Sequence, residues 1–217
     1  MSKVNAIAQR MNFDNAVEIL TMQGIDAAKA RLTQSYLRAE VLASATQGTY
    51  SFPIIINQAD PNGFTTQQKL NLQDAFVVSE FGVFIAKPSG AADTTFPLIT
   101  YDNETVFSTA NTAAGVRTMY NGKLVVTLNN SVIVPAWDVL RCKVVPRTQQ
   151  AIPAGAKDSE DFSADGFYPV EPNLIISGAG NYQIQMVLPA AMAAVEANQR
   201  IVLIARGILA QNVTSVQ

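Results

Sequence analysis

The stretch MYNGKLVVTLNNSVIVPAWDVL, Met119 to Leu140, decides how the fold is read. Asn121-Gly122 and Asn129-Asn130 are turn signals, because Asn and Gly reach the left-handed conformations that tight turns require. Between them, Lys123 to Leu128 is rich in branched residues that fit a pleated surface, so it reads as a strand. Ser131 to Val134 is a second short apolar run, and Pro135 is expected to end it because proline gives no amide hydrogen to a ladder. The pair predicts a β-hairpin, preceded by a further strand over Val116 to Tyr120. Nothing on it can do chemistry.

The same grammar runs from Thr49 onward. Strands are expected near Tyr50 to Ile56, Ala75 to Ala86, Phe96 to Thr100, Val139 to Val145, Asn173 to Ser177, Tyr182 to Leu188 and Ile201 to Leu209. They are punctuated by Asp60-Pro-Asn-Gly63, Pro88-Ser-Gly90 and Gly178-Ala-Gly180-Asn181. Eight to ten short strands at this spacing predict a mainly β chain folded as a β-sandwich, for which jelly-roll topology is one common solution. Phe76 to Ile85 and Ile201 to Leu209 are more continuously apolar than a sheet with one wet face needs. Burial on both faces follows, inside the sandwich or against a partner subunit. A bare apolar face is an aggregation hazard, which makes an oligomer the economical expectation.

Residues 1–46 differ in kind and are expected to form a helical arm on a sandwich domain spanning 47–217. Asn12 or Asp14 is a candidate cap for a short helix through Ala16, Val17, Ile19 and Leu20, and Gly24 breaks it. From Ala27 to about Ala43, after Asp26 as a new cap, Leu32, Tyr36 and Ala39 to Ala43 fall at helical spacing and predict a second helix. Such an arm cannot bury its own stripe and must lie on the sandwich or on a neighbouring copy. Residues 151–166 read as a long loop, and Pro189 to Asn198 as a short helix or an apolar loop.

Composition narrows the function classes. Of 217 residues 48% are apolar and only 15% charged, against a usual quarter charged, which suits lasting contact with other protein. A net charge of −2 predicts no specific nucleic-acid binding, although Arg141, Lys143 and Arg147 form a small basic group. No apolar run is long enough to span a bilayer, and the first ten residues lack a secretory signal's apolar core. The expectation is a chain soluble before assembly and made in a cytoplasm. The lone Cys142 rules out an internal disulfide and reads as a small buried hydrophobe.

The absence of histidine removes Ser-His and Cys-His nucleophile pairs and every imidazole metal site. Gly178-Ala-Gly180 lacks the third glycine of a phosphate cradle and reads as a strand-linking turn. Asp158, Glu160, Asp161 and Asp165 share the long loop, where a solvated acidic loop is favoured over a calcium site. Glu80, in an apolar strand, is the one acid with a burial argument for acid-base work. Tyr101, Tyr120, Trp137 and Tyr168 are the candidate aromatic platform for a sugar, with core or interface packing the favoured reading. No catalytic residue, cofactor or metal is expected.

An N-terminal arm, a low-charge sandwich with long loops, no histidine, no disulfide, and Tyr120-Asn-Gly-Lys-Leu-Val-Val ahead of Pro135-Ala-Trp137 together resemble the jelly-roll capsid proteins of non-enveloped icosahedral viruses, especially bacteriophages. The resemblance lies in architecture across the whole chain and carries over no functional residue. It implies a non-enzymatic virion protein, made in the host cytoplasm, that assembles with itself as a trimer or hexamer and with other virion structural proteins. Leu32 and Tyr36 on the arm, with Phe81, Phe84 and Ile204 on the two-sided apolar strands, are the candidate assembly residues. The alternative is a binding module of a fibre or surface appendage, recognising a receptor or a carbohydrate.

Overall fold

The structure, a computed structural model, describes residues 3–103, 105–107, 109–145 and 166–213, with side chains from residue 13 onward. Eight strands form two four-stranded antiparallel sheets: β1 (Arg31–Leu42), β2 (Thr49–Phe52), β3 (Ala75–Ala86), β4 (Lys123–Leu128), β5 (Ser131–Asp138), β6 (Phe167–Ser177), β7 (Tyr182–Val187) and β8 (Arg200–Gln211). The sheet orders are β1-β8-β3-β6 and β2-β7-β4-β5. This is a β-sandwich in jelly-roll order. Helix α1 (Lys3–Met22) precedes it, and helix α2 (Ala110–Tyr120) lies between β3 and β4.

The predicted hairpin is present. Leu128 pairs with Ser131 across Asn129 and Asn130, whose φ values of 49° and 65° are those of a tight two-residue turn. The strand does not stop at Pro135 but runs to Asp138. β5 is an edge strand, where a missing amide hydrogen costs no ladder bond.

The segment before the hairpin corrects the sequence reading. Val116 to Tyr120 belongs to α2, not to a strand. Thr109 caps it: its Oγ1 accepts from the Thr112 amide at 3.1 Å, and Thr112 Oγ1 accepts from the Thr109 amide in return. Val116, Met119 and Tyr120 then fall on one buried face, and the Tyr120 hydroxyl donates to the Val83 carbonyl at 3.1 Å. Asn121-Gly122 closes this helix instead of turning a hairpin. Phe96 to Thr100 forms only a single bridge, Ile99 to Ile85, and Val139–Cys142 is one 3-10 turn, not a strand.

The second predicted helix of the arm is β1. It pairs with β8 along its whole length, from Arg31 opposite Gln211 to Leu42 opposite Arg200. Leu37, Ala39 and Val41 point into the core while Arg38 and Glu40 point to the opposite face, where Glu40 is buried in an ion pair with Arg200, so period two overrides residues that favour helix. The arm proper is α1 and the turn after it, and the sandwich begins at residue 31, not 47. α1 ends as its glycine predicts. Gly24 has a φ of 75°, its amide donates to Thr21, and the Ile25 amide donates to Leu20, both at 3.0 Å. Ile25 packs against the apolar cluster that holds Leu20.

The two-sided apolar strands β3 and β8 are the inner strands of their sheet. Phe76, Val78, Phe81, Val83 and Ile85 fill the space between the sheets. The change from even to odd numbers comes from a bulge between Val78 and Glu80, which shifts the strand by one residue. On the outer face, Ala16 and Leu20 of α1 cover Ala75, Val77 and Ala210, while Phe96, Leu98 and Phe167 cover Phe84, Val202 and Ile204. The chain therefore supplies its own cover, and these strands no longer argue for a partner.

Candidate assembly surface

The candidate assembly residues do not gather. Phe81 lies between the sheets, edge-on to Trp137 with ring centroids 5.6 Å apart. Phe84 and Ile204 share the outer apolar cluster, and Leu32 packs against the α1 cluster. Tyr36 alone is open, 50% exposed on the outer face of β1.

The chemical candidates separate in the same way. Tyr101, Tyr120 and Trp137 are buried and cannot form a platform, and only Tyr168 is exposed, with the Arg141 guanidinium 4.9 Å from its ring centroid. Asp158, Glu160, Asp161 and Asp165 lie outside the described residues, as does Arg147. Among the described residues no three of Cys, Asp and Glu come together as a metal site would require. Lys143 and Arg117 pair with Asp102 at 3.3 and 2.6 Å. Burial raises the Asp102 pKa, but the hydrogen bond from Arg117 and the Lys143 charge outweigh it and hold the carboxyl below its ordinary value. Cys142 is fully buried, its thiol donating to the Phe81 carbonyl at 3.7 Å, and burial pushes its pKa up to about 12. Gly178-Ala-Gly180 links β6 to β7 as a turn, with Gly180 donating to Ser177 at 3.0 Å.

What the structure does assemble is one apolar side of the sandwich. β1 touches β2 at one side of the sandwich, and β6 and β5 are the opposite edge strands of the two sheets. The 3-10 turn after β5 crosses between them and contacts β6. Val132 is 54% exposed and Ile133 40%, in an edge strand with no polar residue between Ser131 and Trp137. Leu140 on the 3-10 turn and Tyr168 on β6 are exposed as well.

The backbone at these edges is blocked against strand addition. β5 carries Pro135 and two register shifts opposite β4, and β6 carries Pro169 and Pro172. Prolines and bulges on edge strands prevent open-ended pairing. A partner on this side would be held by side chains, which limits growth to a defined geometry. Sequence reasoning misses this surface because Val132 to Val134 reads only as half of a hairpin, and nothing local says whether that half is covered. Its signal was the failure of apolar residues to alternate in a strand that also holds a proline.

No protein-family model, no curated protein and no solved structure matches the chain.

Proposed function

We infer that this chain is a non-enzymatic structural protein that self-assembles into a virus capsid shell, that of a bacteriophage, and that the β5 and β6 edges take part in its contacts. The observation that carries the reading is the jelly-roll order combined with exposed apolar side chains along edges whose ladders are stopped by proline. Val132 and Ile133 are half-exposed, so covering both contributes about 2 kcal/mol per copy from area alone. Contacts of that size are weak singly and add up when each copy makes several, as a closed shell requires. A charged fraction of 15% lowers the desolvation cost of such contacts.

The test is light scattering coupled to size exclusion, followed by negative-stain microscopy of the heaviest fraction. Trimers, hexamers or shells are expected from the native chain. Val132→Lys with Ile133→Glu is expected to shift the population toward monomer while circular dichroism stays unchanged. A monomer at micromolar concentration for the native chain overturns the shell reading, and oligomers untouched by the double substitution overturn the assignment of this side.

A further inference from the structure

The sandwich has four edge strands, and three of them are guarded against strand addition. β5 and β6 carry prolines and β2 is only four residues long, each a usual guard. β1 is different. It pairs with β8 through twelve residues without a bulge, and it contains no proline.

The second side of β1 is covered along only part of its length. Arg38 and Gln68 exchange both backbone hydrogen bonds, at 2.8 and 2.9 Å, and the Glu40 amide donates to the Gln67 side chain at 3.1 Å. Backbone groups alternate sides along a strand, so Arg38 and Glu40 fix the outward set as the even-numbered residues. Leu32, Gln34 and Tyr36 therefore aim their amides and carbonyls away from β8, and among the described residues none of these groups has a partner. The chain lays no strand there because Leu70 leaves the edge to bond Ile54 and Ile56, at 2.8 and 3.1 Å.

The open stretch runs from Arg31, where the strand begins, to Leu37, the last residue before the Gln68 bridge. Its midpoint is Gln34, so a second copy laid antiparallel on it by a two-fold axis through Gln34 meets it in register. Gln34 then faces itself and Leu32 faces Tyr36, each as a hydrogen-bonded pair, for roughly six backbone bonds. The side chains match as well. On the outer face each Tyr36 ring, 50% exposed in the single chain, lies against the partner's Leu32. On the inner face Thr33 meets Ser35, a pair that shares hydrogen bonds across strands, and Arg31 meets Leu37, so no like charges are opposed.

We propose that β1 is a homodimer contact, in which the Arg31 to Leu37 edges of two copies pair antiparallel about Gln34 and join their sheets into one. The occupant is a second copy because the free edge is its own complement in length, direction and charge. This contact adds to the assembly reading without needing a shell.

The experiment is light scattering coupled to size exclusion on the full chain carrying Val132→Lys and Ile133→Glu, which removes the contact assigned to β5. A dimer that dissociates on dilution is expected. Gln34→Lys or Gln34→Glu, each added to that chain, places like charges opposite each other and is expected to weaken the dimer tenfold or more. An equimolar mixture of the two is expected to recover it, because the axis sets this position against itself. Gln34→Pro removes only an outward amide, so the dimer is expected to disappear while the circular dichroism spectrum and Tm hold. Should that proline disturb the fold, the charge pair decides alone. A monomer throughout the micromolar range, a dimer indifferent to these substitutions, or a mixture that recovers nothing overturns the pairing. So does a monomer whose Leu32, Gln34 and Tyr36 amides resist hydrogen exchange, since a segment of the same chain then covers the edge. Failure here leaves the larger oligomers of the native chain, and with them the shell reading, untouched. A native chain that stops at dimers keeps the pairing and overturns the shell.

Discussion

Replacing Glu40 with alanine is expected to be among the most destabilising single changes in this protein. Glu40 is 0% exposed and Arg200 is 1% exposed, and their ion pair is 3.0 Å long. The other Glu40 oxygen accepts from Arg38 Nε at 2.8 Å and from the Thr66 hydroxyl. Arg200 also donates to the Ala91 carbonyl at 2.7 Å and stacks 3.7 Å from the Phe64 ring centroid. The Glu40–Arg200 pair thus ties β1, β8 and the two long loops that follow β2 and β3. Glu40→Ala leaves a guanidinium buried without its counter-charge, and breaking a buried pair in this way costs about 3–5 kcal/mol. For a chain of this size each kcal/mol lowers Tm by about 2–4 °C, so a fall of roughly 6–20 °C is expected. Arg200→Met is expected to cost less, because Glu40 keeps Arg38 and Thr66 while the thioether still packs on Phe64. The double variant Glu40→Leu, Arg200→Met is expected to be more stable than the sum of the single effects predicts, because neither charge is left alone. Thermal unfolding followed by circular dichroism reads all three. A Glu40→Ala loss of under about 2 °C, or one no larger than that of Arg200→Met, would refute the reasoning.

Three further expectations follow from other parts of the structure. Burial raises the Asp60 pKa, but bonds from Lys69, the Gly63 and Asn62 amides and Gln67 outweigh it and bring the carboxyl to about 2 from an ordinary 3.8. The folded pKa is the lower one, so its stabilisation of roughly 2 kcal/mol is present above pH 4 and lost as pH falls toward 2; urea titrations across that window should show less loss in Asp60→Asn than in the native chain. Gly178→Ala would place a Cβ 1.9 Å from the Asn71 carbonyl oxygen, a backbone clash that must move a loop; the melting temperature should fall by several degrees, and an unchanged value would contradict the packing there. Cys142, buried and with its thiol pKa near 12, should react with a thiol reagent only at the rate of unfolding, and rapid modification of the native chain would place it elsewhere.

The sequence alone determined the class of fold, because its information there is local. Continuous apolar runs between turn residues read as strands, as over Ala75 to Ala86 and Ile201 to Leu209, and the structure has strands there. The Asn129-Asn130 turn was legible because few residues accept positive φ, and the Gly24 helix end for the same reason. The Thr109–Thr112 cap is equally local, and it places Val116 to Tyr120, expected as a strand, in a helix. Tertiary structure decided the rest. β1 is a strand because β8 offers it twelve residues of ladder, which outweighs the helix preference of Leu, Arg, Ala and Glu. Which apolar faces stay open was likewise beyond local reading. Covering Phe84 and Ile204 depends on segments distant in sequence, and so does leaving Val132 and Ile133 exposed. The open edge at Leu32, Gln34 and Tyr36 exists only because Gln68, distant in sequence, covers β1 at Arg38 and the chain then turns away. Periodicity in a sequence records which side of an element is apolar, and only the packed chain records what meets it.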